Sequence, residues 1–468
     1  MRSPFVVTVK CPECGGPIRF PEGAYAFTCT YCGSVLRIKQ GGNILKYIIQ
    51  PRTPSNHDIQ CIIRKALMGR GKGMPGVFSI DRITTVYKPF WYFKGMLYLT
   101  YTTKGENDTI GKTWYYSFQA CPDFAGTFNS LSVRTEVLAI EPYDSAALKG
   151  KGTVLPASVD RDAAYTQAAK VAETNLLCEA GQAVYKRLHL IGEHLFLIYY
   201  PVMRVACTGP TGPRTFLIDG IGRSLIEDVR GNADSVKEET GGHPYTINLL
   251  SHRCKNCGHD LPAGDFDIIF YCAMCGRLWL LKDGDYHSIP VTLLNARTQT
   301  GTVYLPFWRF EVQANSKAAN LSLKTIQDLS GLMKMGRFML RNEDPSRPIR
   351  LYVPALVTRN ARALLKLAAT INRHQRLLPV APAGPFPHTQ IFNASLPLSE
   401  AEEMLDVILF AVVGRQDPKA LNFYNDHTLV VTKRELVWYP FEDKGNFYLD
   451  HFHQYTFAKK SMDITVYR

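Results

Sequence analysis

The sequence predicts an α+β protein made of two tandem, related halves, each a four-cysteine zinc ribbon followed by a mainly antiparallel sheet with packed helices. Three observations lead there. Four Cys-x-x-Cys pairs fall into two sets, Cys11, Cys14, Cys29 and Cys32, then Cys254, Cys257, Cys272 and Cys275, with fourteen residues between the inner cysteines of each. Behind the sets the same signature recurs, as Tyr87-Lys88-Pro89-Phe90-Trp91-Tyr92-Phe93 and as Tyr304-Leu305-Pro306-Phe307-Trp308-Arg309-Phe310. Later in each half comes an aromatic-Tyr-Pro run, Tyr199-Tyr200-Pro201 and Trp438-Tyr439-Pro440. The boundaries this suggests are a ribbon at 1–42, an α+β domain at 43–240, a second ribbon at 244–284 and a second α+β domain at 285–468.

The cysteine spacing has a chemical reason. A tetrahedral Zn²⁺ takes four thiolates at about 2.3 Å, which two Cys-x-x-Cys turns closed by a hairpin supply. Gly15, Gly33, Gly258 and Gly276 each follow the second cysteine of a pair, where the chain must turn with positive φ. Two zinc ions per chain are therefore expected. Four protein thiolates leave no open coordination position, so the role is structural. A thioredoxin-like dithiol uses one pair in a βαβ setting, which is absent here; a rubredoxin-like iron site uses similar knuckles but a longer intervening loop, so zinc is the expected metal, with iron in the cell left open. His252 and His259, beside the second set, read as surface residues.

The ribbons resemble those of RNA polymerase subunit P and transcription factor IIB, most clearly over Phe27-Thr28-Cys29-Thr30-Tyr31-Cys32-Gly33-Ser34-Val35-Leu36. The wider pattern, a ribbon followed by Tyr-x-Pro-Phe-Trp, resembles a family of poorly characterised bacterial zinc-ribbon proteins. Some of these are labelled primosomal or helicase-like through the ribbon, and some carry transmembrane helices. No helicase motif and no such helix is found in this sequence.

Between the landmarks, local patterns place the elements. Tyr92–Tyr101 alternates like a strand but is apolar on both faces, which suits a packed sheet. Leu195–Cys207 and Thr215–Asp219 read as strands joined by the Gly-Pro turn of 208–213, and Pro89 and Pro306 suit a strand start or edge. Helices are expected over Asp160–Leu188 and Glu400–Val413, the second with a Ser399–Glu402 capping box. The polar stretch Gly231–His243 reads as the linker between halves.

With 468 residues, 46% hydrophobic and 24 Tyr and 24 Phe, the chain has ample material for packed cores. Its apolar stretches are shorter than the ~20 residues a bilayer requires, and Met1–Cys11 has no signal-peptide core. Eight of twelve cysteines sit in metal spacing, which favours a reducing cytoplasm over a disulfide scaffold.

The net charge of +13 is concentrated in 1–75 and 301–376, a pattern that suits an acidic partner. On a helix over 359–376, Arg359, Arg362, Lys366, Arg373 and Arg376 fall within about 100 degrees of arc, opposite an apolar face. With Lys334, Arg337, Arg341, Arg347 and Arg350 upstream, this stripe is the candidate partner-binding surface. Other signals are weak. Gly69–Gly73 lacks the Ser or Thr of a phosphate loop, His451 and His453 have no evident co-ligands, and Trp91 and Trp308 suit a core better than base stacking. With no catalytic motif visible, the expectation is a non-enzymatic adaptor or scaffold for a protein partner. The alternative is direct nucleic-acid binding through 326–376.

Overall fold

The computed structural model describes residues 6–461 apart from 22–23, 25, 40–44, 52–53, 70–77, 104–106, 123–138, 145–147, 149–150, 181–184, 210–211, 231–247, 263, 265, 283, 296–300, 334–343, 359, 382–389, 414–417, 451 and 453–454. The expected linker, residues 70–73 of the glycine-rich loop, His451, His453, Arg359, Lys334, Arg337 and Arg341 lie outside the described residues.

The chain is mixed α+β, with strands predominating. The front module contains β1 (Val6–Lys10), β2 (Pro17–Pro21), β3 (Ala26–Thr28), β4 (Val35–Lys39) and β5 (Leu45–Ile48). Then come α1 (Asn56–Gly69), β6 (Ser79–Thr102), β7 (Asn107–Gln119), β8 (Ala139–Pro142), β9 (Thr153–Val154), α2 (Arg161–Ala180), β10 (Tyr185–Gly209), β11 (Gly212–Asp219) and β12 (Leu225–Arg230). The second module has β13 (Asn248–Ser251), β14 (Ile269–Tyr271), β15 (Leu278–Lys282) and β16 (Asp285–Ile289). The last part comprises β17 (Thr302–Ser316), β18 (Leu321–Leu323), α3 (Ile326–Leu332), β19 (Ile349–Pro354), α4 (Ala361–Arg373), β20 (Gln390–Ile391), α5 (Leu398–Val413), α6 (Pro418–Asp426), β21 (Thr428–Lys444), β22 (Phe447–Asp450) and β23 (Thr456–Ala458).

Each large sheet is organised by one long antiparallel pair that carries both aromatic-proline signatures, β6 with β10 and β17 with β21. The register is the same in both: Tyr87 faces Pro201 and Pro89 faces Tyr199, while Tyr304 faces Pro440 and Pro306 faces Trp438. Neighbouring groups repeat too. Ala120 N–H donates to the Pro89 carbonyl and Ala355 N–H to the Pro306 carbonyl, both at 2.9 Å. Short parallel strands, β9 and β20, lie against Tyr87 and Tyr304. Trp91 Nε1–H donates to the Val159 carbonyl and Trp308 Nε1–H to the Leu396 carbonyl, again both at 2.9 Å. The indoles thus close each sheet against the segment that leads into a helix, and they do not stack outward.

The prolines sit in mid-strand, contrary to the expected start or edge. The Pro89 backbone faces the side where β7 has ended at Gln119 and β9 at Val154. No ladder donor is missed there, and the proline is tolerated. A buried tyrosine completes each unit: Tyr200 Oη donates to Asp219 Oδ1 at 2.7 Å and Tyr439 Oη to Asp450 Oδ1 at 3.3 Å. The same Oδ1 atoms accept from the N–H groups of Ile221 and Phe452.

Two helix expectations change. Asp160 caps the first helix by accepting from Ala163 N–H at 2.8 Å, but the helix ends at Ala180. Residues 185–188 instead pair with 99–102, because extending the β6–β10 ladder satisfies their backbone groups cooperatively. The second helix starts at Leu398, so Ser399 lies inside it, and Glu402 pairs with Arg434 at 2.5 Å rather than closing a capping box.

The two-sided apolar character of Tyr92–Tyr101 is explained by packing on both faces. Phe93, Leu97 and Leu99 meet Ala164, Ala168 and Ala172 of α2. Met96, Tyr98 and Ile191 turn the other way into the core that holds α4 and α5. Tyr98 Oη donates to the Ala361 carbonyl at 3.2 Å, and Gly192 N–H to the Glu400 carboxylate. Gly192 has φ +65°, and a Cβ there would meet Val357 at 3.2 Å, so the close approach of β10 to the segment before α4 favours glycine.

Tyr200→Phe removes a buried hydrogen bond to a carboxylate and should cost about 1.5–3 kcal/mol in urea unfolding, with Tyr439→Phe costing less across its longer contact. Equal stability of both variants and the parent would contradict this role.

Candidate metal centres

Both cysteine sets come together as the spacing predicts. In each, the four sulfurs lie within 4.8 Å of one another. Cys11 to Cys32 and Cys14 to Cys29 are both 3.8 Å apart; Cys254 to Cys275 is 3.6 Å and Cys257 to Cys272 is 3.5 Å. A tetrahedron with metal–sulfur bonds of about 2.3 Å has edges of about 3.8 Å, so the donor sets fit zinc. These are two metal sites.

All four knuckles share one backbone. Gly15, Gly33, Gly258 and Gly276 donate to the carbonyls of Cys11, Cys29, Cys254 and Cys272 at 2.8–2.9 Å. Their φ values of +69 to +74° favour glycine over residues with a Cβ. The surroundings prepare the sulfurs for charge unequally. The Ser34 hydroxyl and N–H pull the Cys32 thiol down to about 6. Burial pushes the Cys272 thiol up to about 12. Against the burial that opposes it, N–H groups of Cys257 and Asn256 pull the Cys254 thiol down to about 6. A divalent cation lets all four sulfurs of a set be anionic together, so metal binding releases protons. Trp279 Nε1–H donates to Cys254 Sγ at 3.1 Å, a buried contact that orients the ligand.

The two modules are joined to each other. In the second, β16 pairs with the outer edge of β15. The matching edge of β4 in the first is taken by β13, the strand that leads into the second cysteine set. Ala26 of the first module packs with Cys254, Leu261, Phe270, Cys272 and Trp279 of the second. The Arg37 guanidinium donates to the Gly284 carbonyl and lies 4.9 Å from the centre of the Tyr286 ring. His252 is fully buried, correcting the surface expectation: its N–H donates to the Val35 carbonyl at 2.8 Å and its Nδ1 meets Tyr286 Oη. Burial pushes its imidazole down to about 4. His259 is exposed, as expected.

The basic stripe survives only in part. The helix runs Ala361–Arg373, capped where Asn360 Oδ1 accepts from Ala363 N–H at 3.0 Å, and it buries Ala361, Leu364, Leu365, Leu367, Ala368 and Ile371. Arg362 and Lys366 are exposed beside a groove of about 190 Å³ that Arg373 also lines. Arg373 donates to the Ala411 carbonyl at 3.2 Å. Arg376 lies past the helix and donates to the Phe452 carbonyl at 3.1 Å. Arg347 is committed to the Gln375 carbonyl and Arg350 to Glu311, each at 2.7 Å.

Sequence reasoning missed a wide cleft where β10 faces α5, lined by Arg187, His189, Glu402, Glu403, Asp406 and His427 among others. Its residues come from segments more than 200 positions apart, and no local motif announces them.

In comparisons with known proteins, no family model, no curated protein and no solved structure matches this chain. Among the described residues, no helix is long and apolar enough to cross a membrane.

Elemental analysis should find about two zinc per chain, and Cys29→Ser and Cys272→Ser should each remove one. Chelation should change tryptophan emission, and Trp279→Phe should abolish most of that change. Fewer than one metal per chain in the parent would contradict the assignment.

Proposed function

We propose that this chain is a non-enzymatic cytoplasmic scaffold, duplicated in tandem, whose two zinc ions are structural and whose ribbon tips dock a protein partner. One observation carries the docking reading. Tyr31 and Met274 occupy the same place in equivalent knuckles, between the cysteines of the second pair, and each is 65% exposed. A large apolar side chain held out on a rigid metal turn is presented to a partner without ordering the backbone, which favours its use as an anchor. The matched strand registers and indole hydrogen bonds support the duplication. The likeness of the ribbons to those of transcription proteins is consistent with a macromolecular partner.

A photo-crosslinker at position 31 or 274, in the native host, should yield a discrete protein adduct that the same group at exposed Lys170, on α2, does not. Absence of any adduct above the Lys170 control would sink the docking reading.

A second reading, direct nucleic-acid binding, is favoured by the exposed Arg362 and Lys366 on one helix face. If it holds, affinity for duplex DNA should fall steeply with log salt, and Arg362→Glu with Lys366→Glu should flatten the slope by about two. A slope that the double variant leaves unchanged would rule this surface out.

A further inference from the structure

The cleft between the halves has a volume of about 630 Å³ and is built from two facing walls. One wall is residues 187–190 of β10, whose Leu188 and Leu190 line the cleft and also pack toward α2. On this wall, Arg187 pairs with Asp406 at 2.7 Å. His189 is only 9% exposed, lines the cleft and has no hydrogen-bond partner among the described residues. The other wall is α5, which presents Glu402, Glu403 and Asp406 on adjoining turns.

The charges on these walls are unevenly satisfied. Asp406 is shared between Arg187 and His427, whose Nε2 lies 3.0 Å from its Oδ1. Glu402 is paired with Arg434. Glu403 has no ion pair among the described residues, and the lining carries three carboxylates against one guanidinium. Burial pushes the His189 imidazole down to about 4, so at neutral pH the ring is uncharged and one of its nitrogens is an acceptor. The ring lines the open cleft, where a ligand that donates to it takes the place of water.

We propose that this cleft binds a small organic cation, an ammonium carried on a hydrocarbon chain, with Glu403 meeting the charge and His189 accepting one N–H. Leu188, Leu190, Leu429 and the Tyr165 ring line the same space and cover the methylene stem. An anion is disfavoured by the three carboxylates. A bare metal ion is disfavoured by distance, since among the described residues only the two cysteine sets gather three or more ligand atoms within 4.8 Å. The site spans both halves, and a bound amine strengthens their junction because it contacts α5 and β10 together.

The test is calorimetric titration of the zinc-loaded full chain with spermidine and with 1,4-diaminobutane. One saturable site is expected. Glu403→Gln should weaken it about tenfold, the effect of losing a hydrogen bond to a charged group, and Glu13→Gln, an exposed acid on the first ribbon, should leave it unchanged. In histidine-labelled protein, the ring nitrogens of His189 should shift as the amine fills the site. No saturable binding up to about 10 mM amine, equal weakening by both variants, or the same heat from magnesium chloride at matched charge would each overturn the proposal.

Discussion

The pairing of β13 with β4 is the contact on which the front of the molecule depends. A four-cysteine hairpin is small and has little core of its own, so it needs either metal or neighbours to persist. Here the first hairpin has a four-thiolate ligand set and a neighbour. Its open edge is closed by the strand that precedes Cys254, and its Ala26 enters the core formed around Cys254, Cys272 and Trp279. The second hairpin closes its own edge with β16. Main-chain hydrogen bonds and the Arg37–Tyr286–His252 cluster thereby tie the two cysteine modules to each other.

Behind this front, two long antiparallel pairs solve one packing problem in the same way. The proline lies where the flanking strands have a gap, the indole that follows reaches a carbonyl just before a helix, and the tyrosine before the second proline reaches an aspartate at a turn. Each of these contacts gives a buried polar group its partner. The two sheets differ in what is packed around them. The last part inserts α3 and α4 around β19, and α4 and α5 supply the surface that receives Met96, Tyr98 and Ile191.

Legibility followed sequence locality. The metal ligands were readable because four thiolates in two tight turns are a local constraint, and the aromatic-proline signatures were readable because they repeat. The apolar face of α4 was readable from its period. What stayed hidden was decided by pairing across long separations. Nothing local in Asn248–Ser251 says that it adds to β4, or that residues 185–188 leave the helix for the ladder. Burial of His252 depends on the distant Phe270 and Tyr286, and periodicity does not reveal it. The fate of Arg376, Arg347 and Arg350 was equally illegible, since a cation on a surface stripe and one bonded to a distant carbonyl look alike in sequence. The His189 cleft is the extreme case, with walls drawn from segments more than 200 positions apart.

The dependence of the first metal module on the second can be read directly by hydrogen exchange. In a Cys272→Ser variant, which leaves all four ligands of the first set intact, the amides of Val35–Lys39 should lose protection together with those of Asn248–Ser251. If Val35–Lys39 kept its protection while Asn248–Ser251 lost it, the two modules would be independent, and the shared edge would not be what holds them together.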